Sequence, residues 1–86
     1  MKNKYIITFT KLHKDIIGSE ITVKVLKKKS FFHKWTEEET VQATCTGFNC
    51  WDGFEWRSNG IRMNHIIEWQ AIDQAKKMFK KGLTTI

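Results

Sequence analysis

Apolar and polar positions alternate in three stretches of the chain, and in a fourth the apolar ones recur at a longer spacing. Tyr5, Ile7 and Phe9 alternate with Ile6, Thr8 and Thr10, which together with the β-branched content predicts a first strand over 4–11. After Gly18-Ser19, Ile21, Val23 and Val25 alternate with Thr22, Lys24 and Leu26, a second strand with one buried face. The pattern fails over 27–39. It resumes in one phase from Thr40 to Trp51, with Val41, Ala43, Cys45, Gly47, Asn49 and Trp51 on one side and Gln42, Thr44, Thr46, Phe48 and Cys50 on the other. Gly47 marks a bend or bulge in that long strand.

Two turn signals follow, Asp52-Gly53 and Asn59-Gly60. A type I′ turn needs φ > 0 at both central residues, which Asx-Gly supplies, so each pair predicts a two-residue hairpin and hence a meander. The first turn sets Trp51 opposite Phe54 and Asn49 opposite Trp56; the second sets Ser58 opposite Ile61 and Trp56 opposite Met63. One face then collects Trp51, Phe54, Trp56, Ile61 and Met63 as core. The other carries Phe48, Cys50, Glu55, Arg57, Arg62 and Asn64, with Phe48, Arg57 and Arg62 in one row. Residues 64–67 read either as a 3₁₀ turn feeding a last strand through Trp69, the favoured reading, or as the first turn of a helix capped by Asn64. From Gln70 to Lys81, Ala71, Ile72, Ala75, Met78 and Phe79 recur at helical spacing, lysines crowd the last turns and Gly82 follows, which predicts an amphipathic C-terminal helix.

Eighty-six residues with four Trp, six Phe and 41% apolar content predict one domain over 1–86 of the mainly β (α+β) class, with a single modest core. The residues Gly60-Ile61-Arg62-Met63-Asn64-His65-Ile66-Ile67 resemble the last hairpin and 3₁₀ turn of SH3-like small β-barrels. The resemblance implies a five-stranded SH3-like small barrel over about 4–69 with the helix, about 70–81, appended. Where SH3 domains carry the proline and tyrosine that grip Pro-rich peptides, this chain has Met63 and Ile66, so Pro-rich peptide binding does not carry over. The small size and the Lys-, Ile- and Asn-rich composition resemble an accessory protein of a Gram-positive bacterium or its bacteriophage.

Cys45 and Cys50 face opposite sides of one predicted strand and read as reduced thiols. The run Tyr5 to Phe9 is too short for a signal-peptide core, and no apolar span approaches 18 residues; the expectation is a soluble, cytoplasmic chain, in the host cytoplasm if phage-encoded. A net charge of +6 favours anionic partners without choosing among them. Three constellations are candidates for contact. Lys27, Lys28, Lys29, Phe31, Phe32, Lys34 and Trp35 interleave ammonium groups with rings, the chemistry of single-stranded nucleic acid binding and equally of a membrane surface, diluted by Glu37 to Glu39. The alternative is a long hairpin whose rings fold onto the core. The row of Phe48, Arg57 and Arg62 holds both arginines of the chain, an anion clamp unless Glu55 pairs with one of them. Lys76, Lys77, Lys80 and Lys81 complement the helix dipole and extend a basic surface.

His33, Cys45, Cys50 and His65 fit no standard zinc spacing, no Gly-rich phosphate loop occurs, and no nucleophile has a base at a recognisable spacing, so neither cofactor nor catalysis is expected. The leading reading is a non-enzymatic basic protein that binds a phosphate-bearing partner, DNA or RNA before others, with the Lys27 to Trp35 loop and the Phe48, Arg57 and Arg62 face as its contact surface. A second is an inhibitor or adaptor docking on a host protein through an aromatic patch, and a third is a nucleotide-sequestering protein with a pocket at an oligomer interface.

Overall fold

The computed structural model describes residues 2–28, 34–47 and 54–83. Five strands, β1 (Lys2–Lys11), β2 (Glu20–Lys28), β3 (Thr36–Cys45), β4 (Trp56–Ser58) and β5 (Ile61–Arg62), precede one helix, α1 (His65–Lys80). The strands form a single antiparallel sheet in sequence order. The class is therefore the mainly β one that alternation predicts, but the sheet is open: among the described residues no ladder joins β5 to β1. A barrel closes only when its strands carry tilt and stagger all the way round. Here β4 and β5 are three and two residues long and turn back too soon.

What spans the gap is the start of α1. Asn64 donates Nδ2 to the Tyr5 hydroxyl of β1 at 3.1 Å, while Glu68 reaches the other way and accepts the Trp56 backbone N–H of β4 at 3.2 Å. Ile67, Ala71, Ile72 and Ala75 of α1 join Ile7, Phe9, Ile21, Val23, Val25, Ala43, Cys45 and Trp56 in one core. Trp56 sits at its centre, fully buried, in an edge-to-face contact with Phe9 at 5.8 Å between ring centroids.

The first two strands behave as their pattern dictates. Tyr5, Ile7 and Phe9 pair with Val25, Val23 and Ile21 on the inward face. An extra residue, Thr10, then interrupts the ladder, and its hydroxyl donates to the Glu20 carbonyl at 3.2 Å. The connector after β1 is built rather than slack: Leu12, Ile16 and Ser19 are buried, and the His13 N–H donates to the Ser19 hydroxyl at 2.8 Å. Ile16 holds φ 70°, a left-handed conformation unusual for a β-branched residue.

Three expectations change. First, β2 runs on to Lys28 and β3 starts at Thr36, inside the stretch where alternation fails. At this end of the hairpin Leu26, Lys27 and Lys28 are half-buried while Thr36, Glu39 and Thr40 are exposed, so no fully buried face forces an apolar period on it. Second, β3 ends at Cys45 rather than Trp51, and Gly47, at φ 77°, lies beyond the strand instead of bulging within it. The ladder pairs Cys45 with Trp56, which leaves ten residues, 46–55, between them and excludes the pairing of Asn49 with Trp56. Phe48, Cys50, Trp51 and the Asp52-Gly53 turn lie outside the described residues. The slip is four residues, an even number, so Trp56 still faces inward. Third, α1 begins at His65, not Gln70: the Asn64 side chain accepts the Ile67 N–H at 3.0 Å, making it the N-cap, and the favoured turn and strand through Trp69 are replaced by helix. At the other end Gly82 takes φ 88°, its N–H bonding Phe79 O at 3.0 Å and the Leu83 N–H bonding Met78 O at 3.0 Å, a Schellman stop.

Candidate functional site

The Asn59-Gly60 hairpin is as predicted. Both residues have positive φ, 52° and 78°, and Ser58 pairs with Ile61. That register sets Arg57 directly opposite Arg62 on one face. Two like charges so placed cost up to about 1 kcal/mol unless counter-charges intervene, and two carboxylates do.

Glu55 lies 3.2 Å from Arg57 Nε and 3.4 Å from Arg62 Nε. Arg57 Nη2 donates to Glu55 Oε1 at 3.2 Å and its Nη1 to the Gly60 carbonyl at 3.1 Å. Glu68, from the first turn of α1, takes Arg62 Nη2 at 2.9 Å and Nε at 3.0 Å. The glutamate side chains are 4% and 5% exposed and the arginine side chains 42% and 44%. The cluster is two positive against two negative charges. The pairing with Glu55 thus extends to both arginines, and Glu68 completes it. Buried carboxylates need these guanidinium groups, so the chemistry here is first the docking of α1 on the hairpin.

The remaining predicted residues fall in two places. At the open end of the sheet, Lys28 Nζ stands 5.7 Å over the ring of Trp35, a cation-π contact within one hairpin, and Lys34 and Trp35 are exposed. Lys29, Phe31, Phe32 and Phe48 lie outside the described residues. Lys27 lines a groove of about 750 Å³, together with Tyr5, Val41, Arg62, Met63 and Asn64, where a closed barrel would have its seam. Ile61 lines it too and is 72% exposed, although the meander assigned it to the core. Phe54 and Met63 are partly buried against the core, as that face predicts.

Lys76, Lys77, Lys80 and Lys81 are exposed at the C-terminal end of α1 and beyond it. Lys77 pairs with Asp73 at 3.2 Å. Among the described residues the other three lysines have no carboxylate partner. Farther up the same helix, Trp69 is 71% exposed and flanks a shallow cavity of about 360 Å³ lined by Gln70, Ile72, Asp73 and Lys76.

Glu68 and Trp69 are the residues that reading the sequence missed, and one signal would have found both. Asn64 as N-cap puts Glu68 in the first turn, where the helix dipole favours an acid, and puts Trp69 on the outer face. Cys45 is a buried thiol of the core and His65 an exposed first residue of α1, while His33 and Cys50 lie outside the described residues. No described helix is long and apolar enough to cross a membrane. Set against known protein families, characterised proteins and solved structures, the chain matches none.

Proposed function

We propose that this protein is a non-enzymatic binding protein for a phosphate-bearing polymer, DNA or RNA, with the outer face and C-terminal end of α1 as its main contact surface. The observation that carries the reading is a contrast in how cations are used. Both arginines are balanced within the molecule, whereas Lys76, Lys80 and Lys81 are exposed and lack carboxylate partners among the described residues. In a chain of net charge +6, Lys4, Lys11, Lys14, Lys24 and Lys34 are also exposed, and these three lysines are the part of the available positive field that is gathered at one end of one helix. Lys27, Lys28, Lys34 and Trp35 offer a second, smaller patch on the β2–β3 hairpin. The five-strand antiparallel sheet with one helix is compatible with a small β fold, and such a scaffold carries no activity of its own.

Backbone contacts of this kind release counterions. If about three phosphates are neutralised, affinity for a labelled oligonucleotide falls roughly 20- to 40-fold between about 50 and about 200 mM salt. The triple variant Lys76→Glu, Lys80→Glu, Lys81→Glu is expected to lose binding while keeping its fold, because these side chains are solvated. Salt-independent affinity, or unchanged binding by that variant, overturns the reading.

A second reading, docking on a host protein, is favoured by Ile66 and Trp69, both exposed and neighbours at i, i+3 on α1. Affinity capture after nuclease treatment separates the two: a protein partner survives the nuclease and a nucleic acid does not.

A further inference from the structure

We infer that Trp69 is a base-stacking platform and that the polymer this helix recognises is single-stranded; the inference rests on the nucleic-acid reading above and names its substrate class. The indole is 71% exposed although it belongs to a helix whose opposite face is core. Among the described residues its side chain makes no hydrogen bond or ring contact, so folding leaves most of its apolar surface unused.

Its position is specific. At 3.6 residues per turn, Trp69, Lys76 and Lys80 fall within about 40° of arc on the helix, and Trp69 and Lys80 stand about 16 Å apart along the axis. The acid that shares this stripe, Asp73, is already engaged by Lys77 at 3.2 Å. Ring and lysines therefore form one track, aromatic at the start and cationic after it.

The cavity of about 360 Å³ lies beside the ring, with Ile72 apolar in its lining and Gln70, Asp73 and Lys76 polar around it. That suits a flat heterocycle with a polar edge, lying on an apolar surface with a phosphate trailing toward Lys76 and Lys80. A base offers its face only when unstacked; in a duplex both faces are covered by neighbours. An exposed indole beside a lysine track thus favours a single strand over a duplex. A protein interface asks for something else, roughly 800 Å² of complementary surface a side. Ile66 and Trp69 are a small apolar island, and lysines dominate the rest of the face.

The test compares a labelled oligothymidylate with a duplex of equal length, using wild type, Trp69→Ala and Trp69→Phe. Losing one stacked base weakens single-strand binding by about five-fold or more. Trp69→Ala should show that loss, Trp69→Phe should recover part of it, duplex affinity should change less than about two-fold, and thermal unfolding should stay put because the side chain is solvated. Indole fluorescence adds a local readout. The chain has four Trp, so the quenching that oligothymidylate produces in wild type but not in Trp69→Phe belongs to this ring. Salt-sensitive binding with equal affinity for wild type and Trp69→Ala overturns the stacking role and leaves the nucleic-acid reading intact. No binding of either oligonucleotide by wild type removes both. Loss in Trp69→Ala of a nuclease-resistant protein partner, with single-strand affinity unchanged, assigns the ring to protein docking instead.

Discussion

The three-stranded body and the β4–β5 hairpin are held by different forces. In the body, long ladders stack Ile21, Val23 and Val25 between Phe9, Ile7 and Tyr5 on one side and Ala43 and Val41 on the other, and burial of apolar area is the main stabilising term. In the hairpin, each ladder is two residue pairs long, one large apolar side chain points inward, and a cluster of four charged groups forms in which the Arg62–Glu68 pair joins β5 to the helix. A short strand cannot bury enough surface to hold itself. It is held by what the helix brings to it.

Three substitutions sharpen or break that contrast. The largest effect should come from the body: Ile21→Ala opens a cavity in a fully buried site and is expected to cost about 3 kcal/mol or more, read as a global loss in denaturant unfolding. Glu68→Ala should cost about 2–3 kcal/mol, because it strands the buried Trp56 N–H and unbalances the two arginines. Its signature should also differ. Hydrogen exchange should speed up at residues 56–62 before it does at 21–25, since the hairpin opens as a local unit. Uniform acceleration across the sheet would show that the two regions are one cooperative block. The smallest effect is at the helix stop: a Cβ at Gly82 meets no atom within 4 Å, so Gly82→Ala pays only for the left-handed backbone, about 1 kcal/mol by thermal unfolding.

The same contrast explains what was legible in the sequence. Alternation shows wherever one face is buried, which is why Ile7, Phe9, Ile21, Val23 and Ala43 could be assigned inward correctly. The Asn59-Gly60 turn was legible because only certain residues take two positive φ angles in succession. The β3–β4 register was not, since the Asp52-Gly53 signal is local and the ladder is fixed by Cys45 and Trp56 meeting in the core, with a long connection between. The start of α1 was hidden because the first turn has Ile66 outside and Glu68 inside, the reverse of what hydrophobicity suggests. Of the candidate site, the arginine row was visible from turn chemistry alone. Its neutralisation was only half visible, because Glu68 arrives from the first turn of a helix whose apolar spacing shows only from Gln70 onward.

The backbone of Ile16 carries a consequence for how this molecule can change. A branched side chain there occupies a handedness it disfavours by about 1–2 kcal/mol, and the position is tolerated because the same side chain seals the core beneath the first connector. Glycine would relax the backbone but forfeit the seal; aspartate or asparagine would suit the handedness but set a polar group among aliphatic neighbours. The two demands cannot both be met by one residue, so any exchange at this position gives up either the backbone conformation or the packing beneath it.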